Sequence, residues 1–135
     1  MASQSRGVSP TVLVIDTDSA MRTLLKDWLE HGGFRVVEEP SADRMFTAAE
    51  TTHLDAIVLA KETAGPTGFD VLPAFRQEWP EVPVIVVTAF GGDEAAEEAL
   101  RLGARTYLEK PFQLRTLLEA VRDATKGGSE RTEQP

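Results

Sequence analysis

The chain contains no cysteine, which excludes disulfides, zinc–thiolate sites and thiol chemistry. Such a composition suits a reducing compartment, and a cytoplasmic location is the expectation. No apolar run approaches the ~18 residues that a membrane-spanning helix needs. The opening residues, Met1-Ala2-Ser3-Gln4-Ser5-Arg6-Gly7, have no apolar core and do not read as a signal peptide. Basic residues are in the minority: 14 Lys and Arg stand against 22 Asp and Glu, a formal net charge of −8. Nucleic-acid binding needs a basic patch, so direct contact with nucleic acid is not expected. The negative balance serves solubility first. Histidine is scarce too. His31 and His53 fall at a helix end and in a loop, read as surface residues, and do not make a metal pair. No Gly-x-Gly-x-x-Gly or P-loop run follows any apolar segment, which leaves phosphate cradling by glycine unsupported.

What is present is one domain. The 135 residues are 41% apolar, enough for a single core and too many for a disordered chain. Apolar runs alternate with helical stripes. Thr11 to Ile15 reads as a buried strand. Met21, Leu24, Leu25, Trp28 and Leu29 then share one helical face, with Ser19 as N-cap and Gly32-Gly33 as the stop. Phe34 to Val37 is a second strand. Ala42, Met45, Phe46 and Ala49 make a second helical stripe, and Ala56 to Leu59 is a third strand. Gly65, Pro66 and Gly68 mark a loop. Leu72, Phe75 and Trp79 form a third helical face, which starts near Val71 because Pro73 fits only a first turn. Val84 to Val87 is the most apolar strand. A fourth helix covers Asp93 to Leu102, with Ala95, Ala99 and Leu102 inward and Glu94, Glu97, Glu98 and Arg101 outward. Thr106 to Leu108 is a short fifth strand, and Leu114, Leu117, Leu118 and Val121 form the last stripe. The folded domain is expected over 11–125, between a flexible N-terminus (1–10) and a polar tail or linker (126–135).

Strands that are apolar throughout, separated by amphipathic helices, imply a parallel sheet covered on both faces, an α/β/α sandwich. In such sheets the site lies beyond the carboxyl ends of the strands. That rule selects Asp16-Thr17-Asp18, Ala60-Lys61-Glu62, Thr88-Ala89 and Lys110-Pro111.

These strand ends resemble the receiver domain of bacterial two-component response regulators. The resemblance runs from about Val12 to Ala124. It rests on the acidic turn after strand one, Met21-Arg22, Thr88-Ala89, and the run Gly103-Ala104-Arg105-Thr106-Tyr107-Leu108-Glu109-Lys110-Pro111-Phe112. It implies a flavodoxin-like, doubly wound fold of five parallel strands in the order 2-1-3-4-5 with five helices. It also implies a pocket in which a strand-three aspartate takes a phosphoryl group from a histidine kinase. Two acids after strand one, the acceptor and a backbone carbonyl hold Mg²⁺ in that pocket. By residue, Asp16 matches the first acid, Thr88 the switch hydroxyl, Tyr107 the switch aromatic and Lys110 the phosphate-binding lysine. Glu62 takes the carbonyl position, and Lys110-Pro111 the peptide bond that is usually cis.

Two positions depart from the family. The acceptor matches Ala60 and the second acid matches Thr17. A methyl group cannot attack phosphorus, and neither Thr17 nor Thr63 has an evident base. Mg²⁺ prefers octahedral oxygen ligands and gives up water reluctantly. With two carboxylates missing, Mg²⁺ binding is expected to be weak or absent, no cofactor is expected, and Asp16 is the expected partner of Lys110. Asp18 should point elsewhere.

Plainer roles stand beside these. Asp16 reads also as a helix-entry acid, Thr88 as a cap of the fourth helix, Trp28 and Trp79 as packing residues, and the acidic stripe as a solvated face. The leading expectation is a non-enzymatic pseudo-receiver that binds signalling proteins (a histidine kinase, an effector domain or another regulator) without phosphorylation. Its working face would be helix four, strand five and helix five, including Glu94, Glu97, Glu98, Arg101, Tyr107, Arg115 and Glu119, which is also the face for a homodimer. One rival is an ordinary receiver whose acceptor was replaced by Ala60. A distant third is a flavodoxin-like cofactor-binding protein.

Overall fold

The computed structural model describes residues 9–61, 71–89 and 92–133. The strands are β1 (Thr11–Ile15), β2 (Arg35–Glu39), β3 (Ala56–Ala60), β4 (Val84–Thr88) and β5 (Thr106–Glu109). The helices are α1 (Ser19–His31), α2 (Met45–Thr51), α3 (Val71–Glu78), α4 (Asp93–Leu102) and α5 (Leu114–Glu133), with a 3-10 turn over Ala42–Arg44. All pairings are parallel, and the strands lie in the order β2-β1-β3-β4-β5. This is the expected fold.

Period-two alternation divides the strand side chains between two cores. Leu13, Ile15, Ile57, Leu59, Val84 and Val86 face Met45, Leu72, Phe75 and Ala99 from α2, α3 and α4. Val12, Val14, Val58, Ala60, Ile85 and Val87 face Leu25 and Leu29 of α1 and Leu117 and Val121 of α5. β3 and β4 are buried along their whole length, which is why they read as unbroken apolar runs rather than alternating ones.

Several local expectations change. Asp18, not Ser19, caps α1: its extended backbone lets the carboxylate accept from the N–H groups of Ala20 and Met21 at 3.0 and 3.2 Å. Both residue types cap well, and only the backbone turn chooses between them. β2 starts one residue later and ends two residues later than the apolar run Phe34–Val37. Its pairing with β1 runs from Thr11↔Arg35 to Ile15↔Glu39, and an edge strand tolerates charged residues at its end. The second helical stripe opens as a 3-10 turn before α2 begins. α5 continues to Glu133, past Lys126, where a tail was expected. Gly127 and Gly128 weaken a helix by about 1 kcal/mol each without forbidding it, and no proline intervenes before Pro135. α3 begins at Val71, so Pro73 sits in its first turn as expected.

Candidate functional site

β1 delivers Asp16 directly after its last residue. Asp16 is only 4% exposed, and three bonds fix it. Its N–H donates to the Glu39 carbonyl at 3.3 Å. Its Oδ1 accepts the Asp18 N–H at 2.9 Å. Its carbonyl accepts Arg22 Nη1 at 2.6 Å. The Arg22 Nε also pairs with Glu38 at 3.3 Å. Asp16 is therefore more than a helix-entry acid, and that entry role belongs to Asp18. The sequence singled out Met21-Arg22 as part of a pattern but assigned Arg22 no task. Its reach back to the β1 end depends on the first turn of α1 lying beside β2.

β5 ends at Glu109, and Lys110 follows, joined to Pro111 by a cis peptide bond. The Lys110 N–H donates to the Thr88 carbonyl at 2.7 Å, tying the turn to the end of β4. The lysine side chain then crosses to β1, where Nζ lies 3.6 Å from Asp16 Oδ2. The expected Asp16–Lys110 pair is present. Thr88 is fully buried at the end of β4. It does not cap α4, whose cap residue is Gly92 without a side-chain bond. Ala89 is exposed beside it. Thus Asp16, Thr88 and Lys110 converge although the chain separates them widely.

Ala60 ends β3 and is buried, its methyl group in the apolar cluster beneath α1 and α5. Thr17 is exposed after Asp16. Glu62, Thr63 and the loop residues Gly65, Pro66 and Gly68 lie outside the described residues. Tyr107 is half-buried, two residues before Glu109, and packs against the core under α2, α3 and α4.

Among the described residues no three His, Asp or Glu side chains gather as a metal set. Asp16 supplies the buried carboxylate at the β1 end. Its Oδ1 is engaged by an amide, and its Oδ2, which makes no hydrogen bond among the described residues, faces an ammonium group. A lysine beside this carboxylate opposes a dication by like-charge repulsion.

The charged side chains named for an interaction face are exposed. Glu94, Glu97, Glu98 and Arg101 are exposed on α4, and Arg115 and Glu119 on α5. Leu100 among them is 48% exposed. A second surface was not foreseen. Met21, Leu24 and Trp28 of α1 line an open apolar groove with Ala89, Lys110, Pro111 and Phe112. The stripe on α1 reads as core, but only Leu25 and Leu29 are fully buried in it. Leu24 is 39% exposed.

Residues 12–122 match the family model described as response regulator receiver domain. The chain is 34% identical over 110 residues to the response regulator protein FleR of Pseudomonas aeruginosa, covering 82% of this chain and 23% of that protein. It is 33% identical over 123 residues to the transcriptional regulatory protein FixJ of Azorhizobium caulinodans, covering 91% and 58% respectively. It thus spans less than two thirds of either relative. Among solved structures, a response regulator from Thermotoga maritima superposes with a TM-score of 0.80 at 27% identity, covering 88% of this chain and 99% of that one. A receiver domain protein from Methanospirillum hungatei gives 0.83 at 22% identity, covering 92% and 99%, a likeness of fold.

Proposed function

The chain belongs to the response regulator receiver domain family, and from that premise we propose that it is a pseudo-receiver: a protein-interaction module of bacterial signal transduction that works without phosphorylation. One observation carries this reading. Where the family places an acceptor carboxylate, the chain has the buried methyl of Ala60, and Lys110 has turned to Asp16 instead. A chain with no carboxylate at that strand end has no nucleophile for a phosphoryl group. Thr17 removes the second acid, so Mg²⁺ binding is weak or absent and the domain needs no cofactor and catalyses no reaction. Its partners are cytoplasmic signalling proteins: a histidine kinase, an effector domain or another regulator. The exposed charges of α4 and α5 favour the α4–β5–α5 face, for such a partner or for a second copy.

A second reading has support of its own. Thr88 and Lys110 keep the placement of a working receiver's threonine and lysine, as they would if an acceptor aspartate had been replaced by Ala60. Thr17 weighs against it, because replacing the acceptor gives no reason to lose the metal acid as well. Beryllofluoride with Mg²⁺, followed by two-dimensional amide NMR on this chain and on Ala60→Asp, separates the two. Beryllofluoride mimics an aspartyl phosphate only where a carboxylate coordinates it. No response from either protein is expected for the pseudo-receiver. A response from Ala60→Asp that spreads to Thr88 and Tyr107 would establish the second reading instead.

A further inference from the structure

We propose that the amino ends of β3, β4 and β5 hold a binding site for a small organic oxyanion, a carboxylate or phosphate monoester that carries an apolar group. Arg76 and Arg105 take its charged end, and Leu100 with the prolines of the α3–β4 loop takes its apolar end. The site lies at the opposite end of the sheet from Asp16 and Lys110, and it stands independently of the pseudo-receiver reading.

A pocket of about 420 Å³ opens where these strands enter the sheet. Asp55 precedes β3, Pro83 precedes β4 and Arg105 precedes β5, and all three line it. Parallel pairing puts the three entries at one end. The volume is that of a small-molecule site, for which about 300–1,000 Å³ is usual. Gly103, at the turn from α4 into β5, admits the stem of Arg76 to the pocket wall: a Cβ there would lie 2.7 Å from Arg76 Cγ.

The charges in the pocket do not cancel. Asp55 is already engaged: its Oδ2 accepts the Thr11 N–H at 2.8 Å and its Oδ1 lies 3.2 Å from His53 Nε2. Glu81 is exposed, where water and salt screen its charge. Arg76 and Arg105 are half-buried, and neither forms an ion pair among the described residues. This is notable in a chain with 22 Asp and Glu against 14 Lys and Arg. Arg76 is held in place by neutral groups, since its Nη1 donates to the carbonyls of Pro80 and Val82 at 2.8 and 3.1 Å. A guanidinium fixed in this way presents its other N–H groups to carboxylate or phosphate oxygens at little entropic cost.

The remaining walls are apolar. Leu54 is buried and Leu100 is 48% exposed, and both line the pocket with Pro80 and Pro83. A bare inorganic anion would leave Leu100 in water, whereas an apolar group on the ligand would cover it. Leu100 and Arg105 flank the α4–β5 junction, so an occupant that prefers one arrangement of that junction would bias the α4–β5–α5 face.

The test is an amide NMR titration of the 135-residue chain with phenyl phosphate and with inorganic phosphate, in magnesium-free buffer of constant ionic strength. Phenyl phosphate should give saturable shifts at Leu54, Asp55, Ala104 and Arg105. Inorganic phosphate should bind about tenfold more weakly for want of the apolar contact. Arg105→Gln should weaken phenyl phosphate about tenfold, because a charge-assisted bond is lost. Leu100→Ala should weaken it about threefold through lost apolar contact. Arg101→Gln, on the same helix but outside the pocket, should leave binding unaltered. Failure to saturate by about 20 mM, a concentration that would fill a millimolar site, would overturn the proposal. So would equal affinity for the two probes, equal binding by Arg105→Gln and Arg101→Gln, or shifts centred on Asp16 and Lys110. If Arg105→Gln fails to fold, the exposed Leu100 decides: weaker binding in Leu100→Ala than in Arg101→Gln supports the site, and equal binding sinks it.

Discussion

Asp16, Thr17 and Asp18 are three neighbours with three different fates. The first is buried and paired with Lys110, the second is exposed, and the third closes the N-terminus of α1. Sequence identity alone says only that two acids flank a threonine. The backbone turn after β1 decides which carboxylate faces the pocket, since successive side chains leaving a strand point in different directions. The division of labour has a direct consequence. Asp18→Ala should destabilise the fold by about 1 kcal/mol through loss of the cap, with amide shifts confined to the first turn of α1 and Lys110 unmoved. Urea denaturation and an amide spectrum check both halves of that expectation. Gly103 shows another single-residue demand. Its φ is +123°, and a Cβ there would come within 2.7 Å of Arg76 Cγ.

Among the elements, α3 shows best how a marginal helix is held. It is short, with a proline in its first turn, and intrinsic propensity is weak over such a length. Packing supplies the rest. Phe75 stacks on Trp79 at a centroid distance of 5.0 Å and meets the edge of Phe46 of α2 at 5.5 Å. Trp79 lies just past the helix and reaches the same Phe46 at 5.7 Å. The cluster fastens α3 to α2 on the face away from α1 and α5. Phe75→Ala should therefore cost about 3–5 kcal/mol, visible as a lower denaturation midpoint, and Leu100→Ala on exposed α4 should cost little. The stripe of Leu72, Phe75 and Trp79 was legible in the sequence because helical periodicity survives in a short element. The end of α5 was not legible, because a polar composition does not distinguish a linker from a solvated helix.

At the scale of the whole molecule, the sheet gathers the carboxyl ends of β1, β3, β4 and β5 at one end, where Asp16 is the buried carboxylate among the described residues. Net charge and local charge are separate quantities: −8 overall, yet one lysine faces one aspartate where the family has a cluster of acids. Thermal stability should accordingly be indifferent to magnesium. A site with a Kd of about 1 mM would add about 1.4 kcal/mol at about 10 mM Mg²⁺, enough to raise the melting temperature by several degrees in a domain of this size. The expected shift for this chain is below about 1 °C by scanning calorimetry. A clear rise would mean that Asp16 and its surroundings still assemble a metal site.

Alternation of apolar runs and helical stripes determined the α/β class, the place of nearly every element and the strand ends that had to be inspected, because periodicity and burial are written locally along the chain. The family motif added the strand order, and Ala60 and Thr17 were visible as departures from the motif alone. Only the tertiary structure decided which acid meets Lys110, that Arg22 holds the carbonyl of Asp16, and that Met21, Leu24 and Trp28 of the α1 stripe line an open groove. Those outcomes depend on distances between residues far apart in the chain, and these are set when the sheet closes and its turns choose their directions.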